Sequence, residues 1–367
     1  MNQLKAVREL GQSIWLDYIR RNLISSGELK KLVEDGLSGL TSNPTIFHNA
    51  ITQTNDYDDA VRDILKSNPN ADAKTLYERL AIEDIQVVCD ILRPVYDSTD
   101  GVDGFASLEA SPHLAYDTED TIAEVRRLWQ LVDRPNVMIK VPATPQGMLA
   151  IETLIAEGIN INVTLMFSLK HYEAVSLAYI RGIGRNVHPE RVASVASFFV
   201  SRVDTYVDRE LETIGTKEAL ALRGRTAIAN SKLVYRRFRE LFFGKEFAAQ
   251  RQRGARVQRT LWGSTSTKNP AYSDILYVQE LIGPDSVNTM PLETLNAFCD
   301  HGQVRPSVEE GVEEAECVLA SLAKVGVALD AVTEQLQKDG VKAFADSFDQ
   351  LISALEEKRK EVLAGGG

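Results

Sequence analysis

Cysteine is scarce in this sequence, which has three cysteines in 367 residues, at positions 89, 299 and 317. An odd number without a CxxC pair indicates neither a disulfide scaffold nor a cysteine-rich zinc site. Long apolar runs are also missing, so no segment is expected to span a membrane. The first residues, MNQLKAVREL, lack the apolar stretch of a signal peptide. These absences predict a protein of the reducing cytoplasm.

Positive charge is in the minority, with 41 Lys and Arg against 52 Asp and Glu and a formal net charge of −11. This balance argues against non-specific binding to nucleic acids or to membrane surfaces, although a local basic pocket remains compatible with it. A metal-dependent aldolase would need clustered histidines. The five histidines are scattered and form neither HxH nor HExxH: His48, His113, His171, His188 and His301. The segment GIGRNV (182–187) lacks the third glycine of a dinucleotide fingerprint.

Short apolar runs alternate with amphipathic stretches along most of the chain, which predicts a parallel sheet with helical crossovers. Eight such units predict a closed (β/α)8 TIM barrel with extra helices, and an open doubly wound sheet is the alternative. We expect one domain over 1–367, including a helical tail from about 306 to 364. The closing Ala-Gly-Gly-Gly fits a native end, a tag remnant or a linker equally well. The predicted strands are 13–18, 37–42, 105–111, 137–143, 159–167, 191–200, 258–265 and 286–290.

One lysine, Lys140, lies in the apolar run VMIKVPA (137–143). Burial disfavours a charged ammonium group, so part of this amine should be neutral near pH 7. A neutral lysine attacks carbonyl groups and forms Schiff bases. The alternative is a lysine at the rim of the barrel, paired with a neighbouring carboxylate. Lys140 therefore predicts a carbonyl-handling enzyme.

Polar residues recur at the predicted carboxyl ends of the other strands, where a barrel carries its active site. Each could instead cap a helix or belong to the core. A Schiff-base aldol reaction would use them as follows: Asp17 takes the substrate hydroxyl proton, Glu109 moves protons, and Thr164 holds a water. Further candidates would bind sugar hydroxyls or phosphate. The strand-end residues are Asp17, Asn43, Glu109, Asn162, Thr164, Ser197, Ser264, Ser266, Lys268 and Asn288.

The sequence resembles the transaldolase family over nearly its whole length, and most closely the longer mycobacterial, cyanobacterial and plant group. The matching segments are 13–47, MIKVPATPQG (138–147), GININVTLMFS (158–168), SVASFFVSRVD (194–204) and LWGSTSTKNPAYSD (261–274). The resemblance implies a class I aldolase mechanism without metal or organic cofactor. It further implies transfer of a dihydroxyacetone unit from sedoheptulose 7-phosphate to glyceraldehyde 3-phosphate, a step of the pentose phosphate pathway.

By motif, the resemblance implies Lys140 as the Schiff-base residue and Asp17 as the acid/base. It implies proton transfer by Glu109 with Thr164. It also implies that the dihydroxyacetone portion is bound by Asn43, Asn162 and Ser197, and that Phe199 forms an aromatic wall of the pocket. Arg202 and Lys268 would hold the phosphate. We expect a sugar phosphate as substrate, no nucleic acid or membrane partner, and a monomer or a homodimer.

Two departures from the family pattern stand out. Lys268 replaces the arginine of short transaldolases, and a lysine offers a point charge instead of a bidentate fork. After Glu109, the chain has Ala110, Ser111 and His113 where many relatives have valine, aspartate and arginine. Two other functions stay open: a fructose-6-phosphate aldolase that releases dihydroxyacetone, and a non-catalytic sugar-phosphate sensor. Chain length and Phe199 favour transfer, and the retained Lys140 argues against a sensor.

Overall fold

The computed structural model describes residues 2–365 and contains a closed barrel of eight parallel strands in chain order, with β8 pairing back to β1. The predicted TIM barrel is therefore confirmed, and the open sheet is wrong. Every strand lies within three residues of its predicted bounds. The strands are β1 (Gln12–Asp17), β2 (Gly39–Thr41), β3 (Phe105–Glu109), β4 (Val137–Pro142), β5 (Ile161–Met166), β6 (Ser194–Phe199), β7 (Arg259–Gly263) and β8 (Ser286–Met290).

Helices connect the strands and surround the barrel, with two short 3-10 turns at Pro112–Leu114 and Pro189–Arg191. None of the helices in the described residues is long and apolar enough to cross a membrane. The helices are α1 (Gln3–Glu9), α2 (Arg21–Ser25), α3 (Glu28–Glu34), α4 (Pro44–Thr52), α5 (Asp58–Ser67), α6 (Ala73–Ser98), α7 (Thr118–Val132), α8 (Pro145–Glu157), α9 (Leu169–Arg185), α10 (Ser201–Ile214), α11 (Lys217–Leu220), α12 (Thr226–Phe243), α13 (Ala248–Gln252), α14 (Leu276–Gln279), α15 (Leu292–His301), α16 (Val312–Lys324) and α17 (Leu329–Gly365).

The start and end of α8 follow directly from its sequence. The Thr144 hydroxyl accepts a hydrogen bond from the Gly147 N–H, and Pro145 occupies the first helical position. Gly158 ends the helix at φ +93°, a left-handed conformation that glycine adopts without steric cost. Thr144, Pro145 and Gly158 thus have the capping roles that the sequence predicts. They set the length of the crossover that follows the strand of Lys140.

Strand register brings three candidate residues to one level of the barrel. Glu109 of β3 is the register partner of Lys140 of β4, and Lys140 is the partner of Asn162 of β5. Parallel strands are evenly paired, so these residues lie side by side near the carboxyl ends of their strands. The segment GIGRNV begins inside α9, as expected for a stretch that is not a nucleotide-binding loop.

The C-terminal part of the chain is helical, as predicted, and forms α16 and α17. The last helix, α17, packs against α4, α6 and α10 and against β5, and thereby crosses the mouth of the barrel. Of the closing glycines, Gly366 and Gly367 lie outside the described residues. The sequence predicts the helix, whereas its path over the mouth is visible only in the folded molecule.

Candidate active site

A cavity of about 150 Å³ opens at the carboxyl ends of the strands. Seven of the residues that the sequence predicts for substrate binding or catalysis line it together. They are Asp17, Asn43, Lys140, Thr164, Ser197, Arg202 and Lys268, joined by the predicted wall residue Phe199 and the strand-end serines Ser264 and Ser266. Because side chains from six different strand ends and loops converge here, this cavity is the candidate active site.

Lys140 lies inside this cavity and is buried, with 5% of its surface exposed. Its Nζ donates a hydrogen bond to the carbonyl oxygen of Ser42 at 3.0 Å and lies 3.2 Å from Oε2 of Glu109. The alternative from the sequence was a lysine at the rim of the barrel, paired with a carboxylate. Lys140 does pair with a carboxylate, that of Glu109, but it lies inside the barrel and not on its rim. A buried amine that is held by two oxygen atoms points in a fixed direction toward a bound carbonyl.

Glu109 reaches Lys140 from the neighbouring strand and is buried to 7% exposure. Burial raises the pKa of Glu109 above its ordinary value, although the nearby Lys140 charge opposes this rise. Glu109 does not line the cavity of Lys140 and instead lines a second, smaller crevice, together with Tyr77, Ser111 and Phe348. A carboxyl group with a raised pKa beside an amine is suited to exchange protons with it.

Asp17 ends β1 on the opposite side of the cavity, where its carboxylate is held by a threonine pair. The Thr41 hydroxyl donates a hydrogen bond to Oδ1 of Asp17 at 2.6 Å, and the Thr41 and Thr289 hydroxyls are 2.8 Å apart. Sequence reasoning missed both threonines, which line the cavity. The signal for Thr41 was its place one residue before the end of the predicted strand 37–42.

Thr164 lines the cavity with a hydroxyl group that makes no hydrogen bond to the described residues. Its Oγ1 atom is buried and has no hydrogen-bond partner within residues 2–365. A buried hydroxyl without a partner costs free energy, so such a group usually serves a ligand or a bound water. The geometry is thus compatible with the proton-transfer role that the family resemblance implies for Thr164.

Asn162 does not line the cavity, unlike the other residues implied in binding dihydroxyacetone. Its Nδ2 donates to the Ser107 hydroxyl at 3.0 Å, and its Oδ1 accepts from the Ser197 hydroxyl at 2.6 Å. Both ends of the amide are therefore engaged by protein groups. In this structure Asn162 orients Ser197, which does line the cavity, and direct contact of Asn162 with substrate stays a prediction.

Asn43 and Asn288 differ in what they offer a ligand. Asn43 caps α4, since its Oδ1 accepts the Ile46 N–H at 3.0 Å, and its amide nitrogen is the group left for a substrate oxygen. Asn288 is buried within β8 and accepts a hydrogen bond from the Thr265 hydroxyl. Thr289 lines the cavity in its place, because successive residues of a strand face opposite sides. Asn288, a strand-end candidate from the sequence, therefore does not line the cavity.

Two cations form the basic side of the cavity. The Arg202 guanidinium lies 5.3 Å from the ring centre of Phe199 and 5.9 Å from that of Phe344. Burial lowers the pKa of Arg202 from its ordinary value, and within the described residues it has no hydrogen bond or ion pair. Lys268 is exposed and donates a hydrogen bond to the Ser266 hydroxyl at 2.7 Å. A half-buried guanidinium that makes no ion pair with a carboxylate is suited to bind an anion.

Phe344 also lines the cavity, and the sequence did not predict this. It belongs to α17, more than 140 residues after the strand of Phe199, and its ring centre lies 5.8 Å from Nζ of Lys140. No local motif marks it, because its neighbours in the sequence form an ordinary amphipathic helix. Together, Phe199 and Phe344 give the cavity an apolar wall beside Lys140 and Arg202.

In the part of the chain that the structure describes, no group of three or more His, Cys, Asp or Glu side chains could hold a metal ion. The cavity combines the buried amine of Lys140, the Asp17 carboxylate, the Thr164 hydroxyl and an anion-binding side, and the Glu109 carboxyl group lies 3.2 Å from the amine. This combination can form a Schiff base, move protons around it and hold a phosphorylated substrate.

Comparison with known proteins agrees with this chemistry. Residues 14–355 match the family model described as Transaldolase/Fructose-6-phosphate aldolase. A transaldolase of Thiobacillus denitrificans is 49% identical over 97% of this chain and 100% of its own length. Transaldolase 2 of a Nostoc species is 43% identical over 98% of both chains. The transaldolase of Mycolicibacterium paratuberculosis is 43% identical over 98% of this chain and 97% of its own.

Proposed function

Because this chain belongs to the transaldolase/fructose-6-phosphate aldolase family, we propose that its cavity carries out transaldolase chemistry on a Schiff base at Lys140. The function is that of a transferase of the pentose phosphate pathway. It moves a dihydroxyacetone unit from sedoheptulose 7-phosphate to glyceraldehyde 3-phosphate and yields erythrose 4-phosphate and fructose 6-phosphate. The observation that carries the mechanism is the buried amine of Lys140, 3.2 Å from a carboxyl group with a raised pKa.

The first half of the proposed mechanism forms the covalent intermediate. The neutral Lys140 amine adds to the ketose carbonyl, and the resulting carbinolamine loses its hydroxyl group as water to give an iminium ion. Glu109 supplies the proton for this departing water and recovers one when the intermediate is later hydrolysed. The free hydroxyl of Thr164 lies on the same side of the cavity and is the group that would hold this water.

The second half breaks and remakes a carbon–carbon bond. Asp17 takes the proton from the hydroxyl group next to the cleaved bond, and the bonding electrons move into the iminium, which becomes an enamine. The aldose phosphate leaves, and the enamine attacks the aldehyde of the acceptor while Asp17 returns the proton to the new hydroxyl. The hydrogen bond from Thr41 holds the Asp17 carboxylate in one orientation for both steps.

The cations of the cavity are proposed to bind the phosphate of donor and acceptor. Arg202 would hold it from inside, where burial strengthens a charged hydrogen bond. Lys268 would contact it from the exposed edge, and the Ser264 and Ser266 hydroxyls are at hand to complete the site. This assignment accounts for a basic pocket in a chain with a formal net charge of −11.

Replacement of Lys268 by alanine is expected to raise KM for phosphorylated sugars by about tenfold and to leave kcat nearly unchanged. A hydrogen bond to a charged group contributes about 1.5–3 kcal/mol, and solvent screening of this exposed amine places the loss at the low end. Steady-state kinetics with fructose 6-phosphate and erythrose 4-phosphate measure it. The control is Lys245→Ala, an exposed lysine outside the cavity. An unaltered KM would leave Lys268 without a phosphate role.

Transfer and simple release of dihydroxyacetone are separated by one assay. With fructose 6-phosphate alone, we expect slow consumption, because the enamine waits for an aldehyde behind the apolar wall of Phe199 and Phe344. Addition of erythrose 4-phosphate is expected to speed consumption by about 100-fold or more, since each turnover then ends in a new carbon–carbon bond. Free dihydroxyacetone formed at the same rate with and without acceptor would instead identify an aldolase.

Two further points stay proposals. We place the enzyme in the cytoplasm, which is supported by three cysteines that are all free. We propose a monomer or a homodimer, and sedimentation analysis of the purified chain distinguishes the two.

A further inference from the structure

One face of α17 packs against the residues at the mouth of the barrel. Gln337, Gly340 and Phe344 follow each other at spacings of three and four and so lie on one side of the helix. All three are buried. Phe344 covers Lys140 and Arg202, as described above, whereas Gln337 contacts the backbone of Ala143 and Leu165, and Gly340 lies against the Leu165 side chain.

Gln337 forms hydrogen bonds that connect α17 to the carboxyl ends of β4 and β5. Its Nε2 donates one hydrogen bond to the carbonyl oxygen of Ala143 at 3.0 Å and another to that of Leu165 at 3.1 Å. Ala143 follows the strand of Lys140, and Leu165 follows Thr164 directly. The Ala143 N–H also donates to the carbonyl oxygen of Thr164 at 2.8 Å. One side-chain amide therefore joins the two segments that carry the amine and the free hydroxyl.

Leu165 has a backbone conformation that needs such support. Its φ is +61°, in the left-handed region, which costs a non-glycine residue about 1–2 kcal/mol. The pairing of β5 with β6 shifts its register at this point, between Val163 and Met166. Such a conformation persists only where surrounding contacts hold it. Because Leu165 directly follows Thr164, a change in its backbone angles would displace the end of the strand that carries the Thr164 hydroxyl.

Gly340 allows the helix to lie close to this segment. A Cβ atom at position 340 would lie 2.8 Å from Cδ2 of Leu165, closer than real Cβ atoms come to their neighbours. The helix thus presses on the Leu165 side chain one turn after Gln337 binds its carbonyl oxygen. The same residue is held from its backbone and from its side chain.

We propose that Gln337 is a positioning residue for the transfer reaction, which holds Leu165 in the left-handed conformation and thereby keeps the Thr164 hydroxyl in place in the cavity that Lys140 lines. This inference rests on the proposed function, because it takes Thr164 to act in proton transfer. Gln337 touches no substrate and acts through the backbone of the two strand ends. The C-terminal helix is then part of the catalytic apparatus in addition to covering it.

Replacement of Gln337 by leucine is expected to lower kcat by about 10- to 100-fold, since a small displacement of a catalytic group has effects of this size. KM for fructose 6-phosphate should change by less than about twofold, because Arg202 and Lys268 are not touched. The control is Gln335→Leu, two residues away on the exposed side of α17, which should keep the parent kcat. Thermal unfolding is measured for each variant, and Gln337→Glu, which is nearly the same shape, replaces the leucine variant if that chain does not fold.

A double-mutant cycle with Leu165→Gly tests the proposed route of action. Glycine adopts a positive φ without cost, so the steric strain that the amide opposes in the parent is absent from this variant. The loss of kcat caused by Gln337→Leu should therefore fall below about threefold in the Leu165→Gly background. A purely structural role would give the same loss in both backgrounds and would overturn the proposal, as would an unchanged kcat in both Gln337 variants.

Borohydride trapping distinguishes an error in the proposed function from an error in the positioning role of Gln337. If borohydride trapping shows that Lys140 forms no adduct, the proposed function itself is wrong. If the adduct forms on Lys140 in the parent and at the parent rate in the Gln337 variants, and their turnover is also unchanged, only the positioning role of Gln337 is wrong.

Discussion

Lys140→Met is expected to lower the transfer rate by at least about 10⁴-fold and to prevent the adduct that borohydride traps with fructose 6-phosphate. The sulfur of methionine cannot add to a carbonyl to give an iminium, so the electron sink for bond cleavage is lost. The fold should survive, because burial already raises the pKa of Glu109 and its carboxyl group can take up a proton when the ammonium is removed. Mass spectrometry of the reduced protein and steady-state assays measure the two effects.

The matched control is Lys232→Met. Lys232 is also a buried lysine, with 9% of its side chain exposed, and its Nζ donates to the Glu310 carbonyl oxygen at 2.8 Å. It lies on α12, outside the cavity, so its replacement should leave trapping intact. An adduct of unchanged yield in Lys140→Met would show that another amine reacts, and the Schiff-base assignment would be withdrawn.

Asp17→Asn is expected to keep the trapped adduct and to lower turnover by about 10²- to 10⁴-fold, the usual contribution of a general acid/base. Asparagine retains an oxygen that can accept the Thr41 hydrogen bond, so the side chain should keep its place. It cannot take the hydroxyl proton when the carbon–carbon bond breaks. Iminium formation, which uses Lys140 and Glu109, should therefore proceed while cleavage stalls.

Single-turnover experiments separate these steps. Fructose 6-phosphate is mixed with excess enzyme, and the adduct and the released aldose phosphate are followed in parallel. Asp300→Asn, an exposed aspartate on α15, is the control and should behave like the parent. If Asp17→Asn releases aldose phosphate at the parent rate, Asp17 is not the base for cleavage. If it forms no adduct, Asp17 acts earlier than we propose.

The barrel could be predicted almost completely from local pattern. Each strand is a short apolar run between polar turns, and each helix carries its own start and stop signals, such as Thr144 before α8 and Gly158 after it. Parallel strands in chain order have few topological alternatives, and eight of them close into a barrel. The predicted strand bounds were therefore correct to within three residues.

The candidate site could be predicted only where it lies at the ends of strands. Asp17, Glu109, Lys140 and Thr164 are ordered by the barrel itself, because register places them near its carboxyl end. Asn288 does not line the cavity, since a shift of one residue turns a strand side chain to the other face. The substrate-binding role of Asn162 stays a prediction, and the sequence could not reveal that Ser107 and Ser197 form hydrogen bonds with its amide.

By itself, the sequence determined the barrel, the buried lysine and the polar groups around it, because each depends on patterns a few residues long and on one repeated unit. Only the tertiary structure decided that α17 crosses the mouth, that Phe344 covers Lys140, and that Gln337 holds the strained Leu165. These contacts join residues more than 170 positions apart. Such pairs are chosen by the packing of whole elements, and no periodicity within either segment encodes them.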